Sequence, residues 1–220
     1  MPELVLQSNT PDGTGLRRLT FDRALPGHTT PGQFVTVHVE GHKPAYFALA
    51  SSPGAPVELL VKVQGDAAET LADTPAGSVI EVSEPIGHGF PVDPDDTRPL
   101  LLLATGSGLS AVKPVIDAEL ARGLPREVTL LYGVYTPEHV SFPERLKAWR
   151  AAGVRAHVVV SEDVPDWDGL TGFVQQAAQA LGFVKPGNVV VLCGYKAMVD
   201  EAKALWLAAG ARGEDLLTNF

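Results

Sequence analysis

LLLATGSGLSAVKP, residues 101–114, is an apolar run that breaks into glycine, serine and glycine and then resumes in a helix-compatible pattern. Gly106 and Gly108 permit a tight backbone and close approach of a phosphate, and Ala111 completes a G-x-G-x-x-A spacing. The helix start that follows offers free N–H groups and a partial positive charge to a pyrophosphate. Taken alone, the turn reads equally well as an ordinary strand-to-helix connection, so its surroundings decide. In a simple dinucleotide-binding protein it would open the fold, whereas here it lies near the middle of a 220-residue chain.

Downstream of the Pro- and Asp-rich stretch PVDPDDTRP (91–99), aliphatic segments alternate with helical patterns. Strands are expected at Leu100–Ala104, Val128–Tyr132, Val154–Val160 and Val189–Cys193. Helices are expected at about Leu109–Arg122, Phe142–Ala152, Val174–Leu181 and Met198–Ala209. This grammar predicts a doubly wound parallel sheet. Upstream it differs: ELVLQS, LRRLTFD, QFVTVHVEG, AYFALAS, VELLVKV and SVIEVSEP are short segments, several alternating apolar with polar. They predict a six-stranded antiparallel barrel or sandwich, interrupted by one helix near Asp66–Ala72. The boundary is placed near residue 97, giving units 1–97 and 98–220.

Composition narrows the function. A formal charge of -9 and the lack of a Lys/Arg cluster disfavour nucleic acid or an anionic membrane as partner. The longest aliphatic run, Leu100–Ala104, is far short of the ~20 residues of a membrane span. MPELVLQSNTPDG lacks the layout of a signal peptide, so a cytoplasmic location is expected. The single cysteine, Cys193, excludes an internal disulfide, a four-cysteine iron–sulfur cluster and a cysteine zinc site within this chain. His28, His42, His88, His139 and His157 are scattered without metal-ligand spacing. Any redox role therefore rests on a bound organic cofactor or a partner.

Four stretches in order, AYFALASSP (45–53), EPIGHGF (84–90), ATGSGLSAVKP (104–114) and VLCGYKAMV (191–199), together with the terminal Phe220, resemble the ferredoxin–NADP reductase family. The likeness runs over nearly the whole chain, and LYGVY (131–135) and the stretch from Ser161 to Val174 agree with it. It implies a flavin-binding barrel followed by a nicotinamide-dinucleotide domain, and a flavin-dependent NAD(P)H oxidoreductase. Hydride would pass from nicotinamide to flavin N5 and electrons onward to an unidentified acceptor. Two other readings share these features: an electron-transfer subunit serving another protein chain, and a flavin-free dinucleotide-binding or regulatory module.

Residue by residue, the resemblance puts Phe47, Ala48, Cys193 and Phe220 at the reacting rings, with Phe47 covering one flavin face and Phe220 the other until nicotinamide displaces it. The cofactor-contacting set it implies is Phe47, Ala48, Leu49, Ala50, Val61, Lys62, Val63, Gly65, Ala67, Ala68, Gly89, Phe90, Thr105, Gly106, Ser107, Gly108, Tyr135, Cys193, Gly194, Met198 and Phe220. Gly87 and Gly89 would let Phe90 approach the ring, and Asp66 is either the cap of the short helix or an anion beside the flavin phosphate. The chain departs from the family pattern at Ala45, where an arginine binds flavin phosphate, at Ala48, where a hydroxyl meets N5, and at Thr218, where many relatives have glutamate. These departures predict a slower reductase, and Ala45, Ala48 and Asp66 are what favour the flavin-free reading. Cys193 is read as a small packing group. FAD is the expected flavin, with FMN the alternative. Tyr135 and Glu138 after the second parallel strand, with no arginine before Arg145, favour NADH over NADPH; Lys196 is the base that would reverse this.

Overall fold

The structure is a computed structural model in which residues 1–219 are described. The first half forms β1 (Glu3–Pro11), β2 (Leu16–Phe21), β3 (Phe34–His38), β4 (Ala45–Ala48), β5 (Glu58–Lys62) and β6 (Val79–Val82), with α1 (Asp66–Asp73) between the last two. All pairings are antiparallel, in the order β4-β3-β6-β1-β2-β5. A further bridge between Leu49 and Leu59 brings the two edges together, so the sheet closes into a barrel and leaves no long free edge. Alternate residues point inward: Leu4, Leu6, Val35, Val37, Leu59 and Val61 fill the barrel.

The second half alternates β7 (Leu100–Thr105), α2 (Leu109–Ala121), β8 (Val128–Val134), α3 (Pro143–Ala151), β9 (Arg155–Val160), β10 (Leu170–Thr171), α4 (Val174–Ala180), β11 (Val189–Cys193), α5 (Lys196–Ala208) and β12 (Leu216–Leu217). The strands are parallel in the order β10-β9-β8-β7-β11-β12. β7 is apolar throughout because both faces are covered. Leu100, Leu102 and Ala104 enter one core with α2 and α3, while Leu101 and Leu103 enter the other with α4 and α5. The expected fold class agrees with this architecture. The two-residue strands β10 and β12 carry no pattern a sequence reading detects. No helix among the described residues is long and apolar enough to cross a membrane.

The halves share one core: Leu16, Ala50, Leu60 and Phe90 of the first half belong to the same buried cluster as β7, α2 and Trp149. A buried polar network crosses the same seam. Lys113 of α2 donates to the Ala50 carbonyl at 2.9 Å and pairs with Glu58 at 2.8 Å and Asp117 at 3.5 Å. Asp117 in turn accepts from Arg145 at 2.6 Å and from the Trp149 indole at 2.9 Å. Nearby, the Phe142 amide donates to Asp12 Oδ1 at 2.8 Å and the Ser141 hydroxyl to the Asp12 carbonyl at 2.7 Å. Phe142 has φ 52°, a left-handed conformation unusual for a bulky residue. Pro143 disfavours the right-handed helical region for it, and the Asp12 bond and full burial hold the alternative.

Removing one partner from a buried ion pair leaves the others desolvated and uncompensated. Lys113→Met is therefore expected to lower the free energy of unfolding by about 3–5 kcal/mol. Urea denaturation measures it, and a loss below about 1 kcal/mol, the scale of exposed pairs, would show that the seam does not depend on this cation.

Candidate functional site

Strand order reverses at β7: the chain proceeds from β7 to β8 and β9 on one side and returns to β11 on the other. Such a reversal opens a crevice beyond the carboxyl ends of the strands. It is occupied by two loops, Gly106–Gly108, a single 3-10 turn leading into α2, and Gly194–Tyr195, leading into α5. They pack backbone against backbone. A Cβ on Gly108 would lie 2.6 Å from the Cys193 carbonyl oxygen, and one on Gly194, at φ 145°, would collide with Thr105 Oγ1. Thr105 Oγ1 accepts instead from the Tyr195 amide at 2.9 Å. Glycine is thus demanded by contact between the loops, and Gly106, Ser107, Gly108 and Ser110 line the crevice at the start of α2.

The crevice continues between the halves as a cleft of about 960 Å³. Of the expected site residues, Phe47, Ala48, Lys62, Val63, Ala68, Thr105, Gly106, Ser107, Gly108, Tyr135, Cys193, Gly194 and Met198 border it. Leu49, Ala50 and Val61 do not, since they are fully buried in the cores. Gly65, Ala67 and Gly89 also lie off its lining, and Phe220 lies outside the described residues. Phe90, expected at the ring, is 2 % exposed; it packs against Gly32, where a Cβ would strike its ring. Asp66 does not cap α1: Gly65 holds the cap position, and its N–H donates to Glu69 Oε1 at 3.2 Å.

The flavin-type strand offers two aromatics. Phe47 pairs with Val35 in the ladder and is partly buried against the barrel core while it borders the cleft. Its neighbour Tyr46, on the opposite face of the strand by the period of two, is 70 % exposed, borders the cleft and lies 5.9 Å from the Phe34 ring.

Further polar groups complete the cleft. Lys62 is the one Lys or Arg lining it among the described residues; its ammonium lies 3.4 Å from the Tyr195 hydroxyl and 5.6 Å from the centre of that ring. The Tyr195 hydroxyl also meets that of Tyr135 at 2.9 Å, and this bond raises the pKa of Tyr135. Gln175 Nε2 donates to Glu201 at 2.6 Å, while Gln175 Oε1 is buried with no partner among the described residues. Cys193 lines the strand end, and burial pushes its thiol up to about 12, so it stays protonated at neutral pH. Sequence reading missed Tyr46, Gln175 and Glu201. A parity count along AYFA and the helical pairing of α4 with α5 are the signals that bear on them.

Residues 102–204 match the family described as Oxidoreductase NAD-binding domain. The chain is 31 % identical to fruit protein pKIWI502 of Actinidia deliciosa, over 86 % of this chain and 66 % of that one. It is 30 % identical to ferredoxin–NADP reductase B of Sorangium cellulosum, over 90 % of this chain and 86 % of that one. In fold it matches the Amycolatopsis cytochrome P450 reductase with a TM-score of 0.90 at 24 % identity, covering 99 % of this chain and 69 % of that one. Against other curated relatives, reductase components among them, the chain spans 48–56 % of their length.

Because Gly108 meets backbone atoms that cannot move independently, Gly108→Ala is expected to preserve the circular-dichroism spectrum while weakening NADH binding by at least about tenfold, the equivalent of about 1.4 kcal/mol. Unchanged binding by calorimetry would show that the loop contact does not shape the crevice. The fold, the switch-point crevice and the 30 % identity along most of a ferredoxin–NADP reductase place this chain in the ferredoxin–NADP reductase-like family of oxidoreductases.

Proposed function

We propose that the chain is a flavin-dependent NAD(P)H oxidoreductase, with dinucleotide and flavin sharing the cleft between the two halves. The observation that carries this is the juxtaposition across one cleft of the Gly106–Gly108 and Gly194 loops with the exposed Tyr46 strand. The residues present fit a flavin. Tyr46 offers a ring face for stacking, Ala45 and Ala48 leave room beside it, and Lys62 supplies one charge for a diphosphate in place of the missing arginine. When bound, the flavin supplies hydride acceptance and electron release. The protein's own part is positioning. The amides at the start of α2 hold the dinucleotide diphosphate, and Cys193 packs as a protonated thiol where the rings would meet. Ala48 has no hydroxyl to donate there, which supports a slow hydride transfer.

The far end of the cleft suits adenine. Phe173 and Tyr195, 56 % and 47 % exposed, both line the cleft and offer ring faces for stacking. The Glu201 carboxylate can only accept, so it fixes Gln175 Nε2 at the cleft wall. On the ribose side, Glu138 and Glu162 stand beside Tyr135, with the Glu162 amide bonded to the Tyr135 carbonyl at 3.0 Å. Acids after the parallel strands suit a free ribose 2′-hydroxyl and repel a 2′-phosphate, which supports NADH over NADPH. The electron acceptor is proposed to be a separate redox protein, in keeping with relatives named as reductase components.

A flavin-free dinucleotide-binding module is the second reading. Asp66 and Glu69 at the start of α1 favour it, because they place negative charge where the family binds flavin phosphate. Purified protein that is yellow and releases FAD on denaturation supports the reductase; colourless protein that fails to take up added FAD or FMN supports the module. With flavin bound, kcat/KM for NADH is expected to exceed that for NADPH by at least about tenfold, and Glu162→Arg is expected to narrow the ratio. Equal values for the two in the unmodified protein would refute the assignment of the acids.

A further inference from the structure

Asn219 lies beyond β12, between the family positions Thr218 and Phe220 but with no role that the resemblance assigns, and is 6 % exposed. Its side-chain amide spans the seam between the halves. Nδ2 donates to the Gly32 carbonyl at 2.9 Å, and Oδ1 faces the Cys193 sulfur at 4.0 Å. Chemistry fixes this orientation: a backbone carbonyl can only accept, so the amide nitrogen must face Gly32, leaving the oxygen to the thiol. The backbone carbonyl of Asn219 also backs onto Gly87, where a Cβ would approach it to 3.3 Å. The receiving loop is itself fixed by Gln33, whose oxygen accepts from the Thr29 and Thr30 amides and whose nitrogen donates to the Gly87 carbonyl. The end of the second half is thus stitched into the first through the Asn219 side chain, at the point where β11 meets the cleft.

We infer that Asn219 is a positioning residue: its bond to Gly32 clamps the C-terminal strand across the seam and controls access to Cys193, and so to the nicotinamide end of the cleft. The two contacts are unequal. The N–H···O bond has good length, whereas a thiol is a weak donor and 4.0 Å is long, so the clamp is the Gly32 bond and the thiol is the group it covers. The inference about the clamp stands on geometry alone; its link to nicotinamide rests on the function proposed above.

Cys193 is the only cysteine in the chain, which makes it a built-in reporter. Alkylation of the native protein by iodoacetamide is expected to be slow. Asn219→Leu keeps the volume but removes the clamp, and is expected to speed alkylation at least about tenfold with a fall of only a few degrees in melting temperature, because a thiol that gains solvent gains both access and thiolate. Asn219→Asp loses the donor toward Gly32 but sets a carboxylate beside the thiol, which holds back the thiolate, so it is expected to speed alkylation less than Asn219→Leu. A rate within about twofold of the original in Asn219→Leu, a difference too small to mark loss of a hydrogen bond, overturns the clamp. Should the variants fail to fold, hydrogen exchange on the unmodified protein decides: residues 216–219 and 29–33 are expected to open together, and independent opening overturns the proposal. NAD+ is expected to alter Cys193 alkylation where ADP-ribose, which lacks the nicotinamide ring, does not. Equal effects of the two would refute the nicotinamide reading and leave the clamp standing on the variant rates.

Discussion

Lys113 carries a charge into the seam between two sheets, and the geometry of the cleft follows from what that charge requires. An ammonium removed from water needs anions and carbonyls around it; it finds Glu58 at the start of β5, Asp117 one turn along α2, and the Ala50 carbonyl just past the Tyr46 strand. Those partners come from both halves. α2 begins at the Gly106–Gly108 turn, so the same helix whose first turn lines the crevice is bolted to the strand on the opposite wall. Asp12 and Phe142 make a second fixed contact on the same side. The distance between the walls is therefore set by buried, directional bonds together with apolar contact.

The polar groups inside the cleft serve a different purpose. Lys62, Tyr195 and Tyr135 meet across its mouth through exposed contacts, which contribute little to stability in water and are free to exchange for a ligand's oxygens. Gln175 Oε1 is the reverse case, a desolvated acceptor without a partner among the described residues. Such a group costs on the order of 1–3 kcal/mol in the folded protein. A rigid seam and an exchangeable mouth are what the proposed dinucleotide site requires.

Much of the fold is legible in the residues, and the reasons are local. Leu100–Ala104 and Val189–Cys193 are uniformly aliphatic because both faces of the parallel sheet are covered, so they declare themselves. The turn at Gly106–Gly108 is readable because close backbone packing admits no side chain. What escapes reading depends on parity or on distance. AYFA is four residues long, and that Tyr46 borders the cleft as well as Phe47 depends on a register fixed by β3. β12 has two residues and no periodicity, so Asn219 gives no sign that it reaches Gly32. Lys113 and Gln175 read as ordinary helix residues until the chain brings their partners to them. Phe90 illustrates the same point: a conspicuous aromatic after a glycine turn is expected at a ring, yet it fills the space left by Gly32.

The central claim is that nicotinamide and flavin meet in this one cleft with Tyr46 on the flavin side. It is tested most directly by mixing flavin-loaded protein anaerobically with NADH, and with NADH deuterated at the transferring position, and following flavin absorbance in a single turnover. The account predicts bleaching of the flavin, slowed by deuterium, with slower bleaching again in Tyr46→Ala. Flavin that binds tightly but is not bleached by either dinucleotide would contradict it.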